Sequence, residues 1–273
     1  MSLDFKALRD KLSRLQGQGN RSSALWKVPA GDSVIRIVPW VGNKNNPFSE
    51  LLFHYLGDKT YLSPASFGKP DPILEFANKL KSEGDRESWM QAKNFTPKLR
   101  TYVPIVVRGE ESEGVKFWSF GKTVYTEILS IIEDPDYGDI TDPQSGRDIT
   151  VNYIPRKESD TNFPKTGIRV KPNQSPLAKD AKLLETLLTN QPDLRELFDV
   201  LSYDELKEVL SQHLSPTSPT VTEKAPAVMQ TVADDEPYPK EWDKKTSKRT
   251  VKTDAQPVAA KDVAKEFDEL FSK

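Results

Sequence analysis

Residues 93–122 interleave cations with flat rings, the most informative stretch of the chain for chemistry. Lys93, Phe95, Lys98, Arg100, Tyr102 and Arg108 come first, and Lys116-Phe117-Trp118-Ser119-Phe120-Gly121-Lys122 repeats the mixture. A single strand of nucleic acid suits such a surface: phosphates want a track of cations, and unpaired bases want rings to stack on, at about 1–3 kcal/mol per base. Side chains alternate along a strand, so Lys116, Trp118 and Phe120 share one face, as do Lys98, Arg100 and Tyr102. Charge and ring are then co-facial. The same residues also read as core rings whose flanking cations reach out to solvent, and the sequence leaves the two readings even.

Two other places carry related residues. Arg36 shares a strand face with Val34 and Val38, a costly position unless a carboxylate or a phosphate meets it. Tyr153, Arg156, Lys157, Phe163, Lys165, Arg169 and Lys171 repeat the ring-plus-cation mixture around a loop. Chemistry of other kinds finds little material. The chain has no cysteine and two histidines, His54 and His213, which excludes thiol nucleophiles, disulfide scaffolds and zinc ribbons. No Gly-x-Ser-x-Gly elbow and no glycine-rich phosphate loop occurs. Asp134, Asp136, Asp139 and Asp142 are broken by Pro135 and Pro143 and lack a closing Glu at calcium-loop spacing, so they read as a solvated connection. His54 reads as a satisfied, half-buried residue. The expectation is a non-enzymatic protein without cofactor or metal.

The elements that must position these residues follow from periodicity. Segments 33–38, 48–56, 99–108, 115–120, 149–154 and 167–171 are rich in β-branched and aromatic residues and read as strands. Helices are expected at 72–80, with Asp71 as cap and Pro72 at the first position, at 86–93 and at 122–132. Strands and helices do not alternate regularly, which points to a mainly β, α+β fold: a small antiparallel barrel of the OB-fold kind with helical insertions. The predicted core is 21–178, with a helical subdomain at about 71–93. From 179 to 214 leucines recur at helical spacing, and Ser202 with Glu205 forms a capping box before the last of these segments.

The two ends differ from the core. Residues 1–30 carry six Lys or Arg against two Asp, in a chain whose net charge is −2. Within 1–20, Phe5, Leu8, Leu12 and Leu15 make an apolar stripe among Lys6, Arg9, Lys11 and Arg14, a short basic helix that needs a partner for its stripe. Residues 215–273 are rich in Pro, Thr, Ala, Lys and Asp and read as a disordered tether. Its acidic amphipathic tip, 262–273, contains Phe267-Asp268-Glu269-Leu270-Phe271, a segment suited to ordering on a partner. Neither a spanning helix nor a signal peptide is visible, which points to a cytoplasmic protein.

Taken in order, Val34-Ile35-Arg36-Ile37-Val38-Pro39, Leu52-Phe53-His54, Val106-Val107, the Glu113-Gly114 loop, Phe120-Gly121-Lys122, and Asn162-Phe163 followed by Asn173-Gln174-Ser175 resemble the replication single-stranded DNA-binding, or helix-destabilising, proteins of T-even-like phages. The resemblance covers roughly residues 20–180, with matching end modules. It implies an OB-fold core holding single-stranded DNA in a basic, aromatic cleft and coating it cooperatively, without sequence preference. The implied roles are protecting the strand and removing its secondary structure in phage DNA replication, recombination and repair, within the host cytoplasm. It implies that Arg36 contacts DNA, that Trp118 stands where a stacking tyrosine does, and that Phe163 is another ring at the cleft. Arg100 and Tyr102 lie in the family's Arg-plus-aromatic run. Self-association would run through the arm (Lys6, Arg9, Lys11, Arg14), and replication and recombination proteins would be recruited by the C-terminal tip.

The departures are specific. Many relatives hold a zinc with one His and three Cys; here His54 remains, and Asp71-Pro72-Ile73-Leu74 stands where Cys-Pro-x-Cys would fall. The zinc is therefore expected to be absent, with Ile73, Leu74, Phe76 and Leu80 packing in its stead. The tail is nearly neutral, with Lys244, Lys245, Lys248, Arg249 and Lys252 ahead of the tip, so its deletion is expected to change DNA affinity little. An RNA-binding regulator on the same fold and an adaptor with core aromatics are the rival readings.

Overall fold

The computed structural model describes residues 24–43, 45–83, 85–161, 163–214, 267 and 269–271. Lys6, Arg9, Lys11 and Arg14 of the arm, the lysine cluster at 244–252 and Asp268 of the tip lie outside the described residues. The strands are β1 (Gly31–Ile37), β2 (Ser49–Leu56), β3 (Lys59–Leu62), β4 (Lys98–Val107), β5 (Lys116–Phe120), β6 (Arg147–Ile154) and β7 (Lys165–Gln174). The helices are α1 (Pro72–Ser82), α2 (Arg86–Phe95), α3 (Lys122–Glu133), α4 (Ala181–Thr189) and α5 (Tyr203–Leu214). The fold is a mixed α+β one, and its β1–β4, β1–β6, β2–β3, β4–β5 and β6–β7 ladders are antiparallel.

The chain divides into two compact units, residues 1–50 with 100–198 and residues 51–99 with 199–273. In the first, five strands run in the order β5-β4-β1-β6-β7. No ladder among the described residues joins β5 to β7, so the pairing is that of an open sheet, not a closed barrel. Register fixes the two faces. Ile35 pairs with Ile149 and Val107, and Val103 with Trp118, so Ile35, Ile37, Val103, Ile105, Trp118, Phe120, Ile149, Val151 and Val170 all project to one side. They meet Val124 and Ile128 of α3, whose spacing of four puts them on one helix stripe, and form the main core. Each such side chain taken out of water contributes about 1.5–3 kcal/mol. On the opposite side Val38 and Val106 pack with Val115, Leu177 and Leu187, the last from α4.

The second unit holds the β2–β3 hairpin and helices α1, α2 and α5. The hairpin pairs Leu56 with Lys59 across Gly57-Asp58, and Gly57 takes φ +59°, which its lack of a Cβ permits. Strand β3 is an addition to the expected strands; its signal is the Gly57-Asp58 turn pair after the apolar run that ends at Leu56. Helix α1 starts as anticipated, with Asp71 accepting from the amides of Ile73 and Leu74 at 3.0 and 3.1 Å and Pro72 in the first turn. Helix α2 runs two residues past its expected end at Lys93 and takes in Phe95, so both lie on a helix, apart from the strand residues Lys98, Arg100 and Tyr102. Asp85 caps it, Thr96 N–H still bonds Ala92 O at 2.9 Å, and Pro97 disfavours a helical residue before it, so the helix ends at Phe95. The Ser202–Glu205 capping box opens α5: Ser202 N–H and Oγ donate to Glu205 Oε2 at 2.8 and 2.7 Å.

Candidate nucleic-acid interface

Burial sorts the expected site residues into two groups. Trp118 is 1 % exposed, Phe120 3 % and Tyr102 0 %, so in this structure all three are core rings. Trp118 packs between Trp26, at 5.9 Å between ring centroids, and Phe120, at 4.6 Å, while Tyr102 meets Phe198 at 5.2 Å. The face shared by Lys116, Trp118 and Phe120 is thus the sheet's core face. Lys116 sits where β5 leaves the core, bonded to Glu110 at 3.2 Å and to Glu113. The Glu113 bond, joined by Glu110, holds its ammonium above the ordinary lysine value despite partial burial. Phe95 packs on Phe76 at 5.1 Å in the second unit, Arg100 is buried, and Lys93 lies over the Trp89 ring at 4.3 Å.

Arg36 is also buried, and a carboxylate meets it. Its Nε donates to Asp148 Oδ1 at 3.0 Å and its Nη2 to Ser175 Oγ at 2.7 Å and to Ser175 O. Arg108 donates to the same Asp148 oxygen from Nε at 3.0 Å and Nη2 at 2.8 Å, and to Leu177 O and Pro176 O. Burial draws the Arg36 guanidinium below its ordinary value while Asp148 opposes the shift. One carboxylate and two arginines therefore tie segment 175–177 to the sheet. Gly146 allows the close approach, since a Cβ there would collide with Arg36 Nη1 and with the carbonyls of Asp142 and Ile140. Asp148 was missed from the sequence because its partners are distant in the chain.

The second group is on the surface. Phe163 is 54 % exposed, among the large apolar side chains that the fold leaves at the surface. Arg156 and Lys157 follow β6, and Lys165, Arg169 and Lys171 lie on β7; all five are exposed. Arg169 pairs across the ladder with Thr150 and Lys165 with Ile154, so Lys165, Arg169 and Lys171 share a face at alternate positions. Tyr153, opposite Thr166, falls on the other face and is half-buried. Lys165 is bridged to Asp160. Arg156, Lys157, Arg169 and Lys171 have no carboxylate partner among the described residues. Lys122, at the first position of α3, is exposed as well, and Lys98 is half-buried. The acidic run is a set of turns, Asp134, Asp139 and Asp142 each accepting from backbone amides two or three residues on.

The donors near His54 do not fit a zinc ion, which takes four ligands. Among the described residues no cluster of three His, Cys, Asp or Glu is placed to hold a metal. His54 Nδ1 instead bonds Phe95 O at 2.9 Å and Nε2 bonds Asp71 Oδ2 at 2.8 Å, with Ser63 Oγ donating to the same oxygen. Phe95 O can only accept, so Nδ1 carries a hydrogen and donates it, while Nε2 and the carboxyl face each other across the second bond. Burial acts to raise the Asp71 pKa, but the bonds from His54, Ser63 and the α1 amides outweigh it and set it below the ordinary aspartate value.

Among the described residues no helix is long and apolar enough to cross a membrane. No curated protein matches the chain. The family model described as gp32 DNA binding protein like matches residues 29–214, a span that takes in both the main sheet and α5. With more than half its length matched, the chain belongs to the gp32 DNA binding protein like family.

Proposed function

We propose that the protein binds single-stranded DNA without sequence preference, through the β6–β7 hairpin of the first unit. The observation that carries this reading is the exposed Phe163 among Arg156, Lys157, Arg169 and Lys171, whose charges no carboxylate neutralises among the described residues. Uncompensated cations in the β6–β7 loop and on β7 offer a track for phosphates, and the ring in the same loop offers a base a stacking surface. Lys165 joins the track by exchanging Asp160 for a phosphate, and Lys122, exposed at the start of α3, is a further candidate on the same unit. Lys98 and Lys93 are secondary candidates, and Arg36, Arg100, Tyr102, Trp118, Phe120 and Phe95 serve as the frame.

The wider reading rests on the family and on the sequence. The protein coats and protects single strands, and removes their secondary structure by mass action, since binding the open form alone shifts the equilibrium toward it. It acts in phage DNA replication, recombination and repair, as a non-enzymatic protein on an OB-fold-like frame, with cooperativity supplied by the basic arm. The test is anisotropy of labelled oligo-dT at several salt concentrations, beside oligo-U and a duplex of equal length. Binding of oligo-dT that weakens steeply with salt, and far less to duplex, is the expected result. Tighter binding of oligo-U would install the RNA-regulator reading, and no binding at low salt would install the adaptor reading.

A further inference from the structure

The C-terminal tip is described in contact with its own unit. Phe267 is 9 % exposed and joins the apolar cluster of Phe76, Leu206 and Leu210, with Leu270 and Phe271 at its edge. Its ring stands 6.3 Å from Phe76 and 4.8 Å from Phe271. Polar contacts frame the apolar ones: Lys79 Nζ lies 3.8 Å from Glu269 Oε2, and Lys207 Nζ lies 4.8 Å from the Phe271 ring centroid and donates to Phe271 O at 3.4 Å. Phe267, Leu270 and Phe271 fall at helical spacing, so one stripe enters the seam between α1 and α5 while an acidic residue meets a lysine at its rim.

We propose that the α1–α5 seam is a docking site for a short acidic helix of the pattern Phe-x-x-Leu-Phe, with the chain's own tip as its resident occupant in cis. The contact is small, a few side chains at the end of the chain, and a helix this short is marginal in water. What favours occupancy is covalent connection: about fifty residues of the same chain separate α5 from the tip, so docking is an intramolecular event. An occupant held by proximity is exchangeable. In the docked state the apolar face of the tip and the seam hide each other, so any protein that takes the tip must first displace it from the seam. This regulation is independent of how the β6–β7 hairpin is used.

The test is a fluorescent peptide of residues 261–273 titrated into the full chain and into the full-chain F267S/F271S variant. The variant is expected to bind the peptide about tenfold or more tighter than the wild type, because its own tip no longer competes. Adding K79E/K207E to that variant is expected to weaken the peptide again. Equal affinity for wild type and variant, or no binding to either, overturns the proposal. A second measurement does not depend on the phenylalanine variants. The chain is free of cysteine, so Lys79→Cys with Glu269→Cys and a short bis-maleimide reports only this pair. A cross-link within the monomer is expected, and a cross-linked dimer or no product overturns docking in cis.

Discussion

Strands β4 and β5 and the β6–β7 hairpin are built from much the same mixture of cations and rings, and the tertiary structure treats them oppositely. In the first region Tyr102, Trp118 and Phe120 are at most 3 % exposed and Lys116 is held by two glutamates. In the second, Phe163 is 54 % exposed, and four cations have no carboxylate partner among the described residues. Composition is therefore a poor guide to which rings face solvent. Burial and charge compensation are better guides, because a ring sealed against helix α3 has no free face and a neutralised cation has no field to offer a phosphate.

Four variants break or sharpen this contrast. The largest effect is expected from Trp118→Ala, which should lower unfolding free energy by about 3–5 kcal/mol in urea, with oligo-dT affinity of the still-folded protein unchanged. A loss of affinity at unchanged stability would move Trp118 into the interface. Asp148→Ala should cost a comparable ~3–5 kcal/mol, since it leaves Arg36 buried without its carboxylate. Near-wild-type stability there would mean that Ser175 alone satisfies Arg36. Phe163→Ala should do the reverse of Trp118→Ala: oligo-dT binding weaker by about 1–3 kcal/mol, stability within about 0.5 kcal/mol. Arg169→Gln combined with Lys171→Gln should reduce the slope of log affinity against log salt by about 1.4, and an unchanged slope would remove them from the phosphate track.

Acid adds a check on the second unit. The Asp71 carboxyl titrates below its unfolded value of about 3.9, so the stability it supplies is present above that pH and lost as pH falls through the folded value. Asp71→Asn should flatten this acid limb of the stability curve, and an unaltered limb would assign it to other carboxylates.

Much was legible in advance because it is local. The Asp71 and Ser202–Glu205 caps, the strand periods of 33–38 and 149–154 and the leucine spacing of 183–188 and 206–210 depend on neighbours a few residues apart and appear close to their expected bounds, whereas Leu194–Leu197, also at helical spacing, makes only a short 3-10 turn. The Arg36 position was correctly read as needing a counter-charge, but its identity was not readable, since Asp148 lies more than a hundred residues away.

The sequence by itself determined the antiparallel α+β character, the family-bearing order of short motifs, the want of thiol chemistry and the two places where rings and cations mingle. Only the tertiary structure decided which of those places faces solvent, that Asp148 is the carboxylate that meets Arg36, and that the tip's phenylalanines pack on helices of their own unit. The reason is physical. Period and capping are set by bonds between near neighbours, whereas burial and charge pairing are set by whichever distant segments the fold brings to the same face.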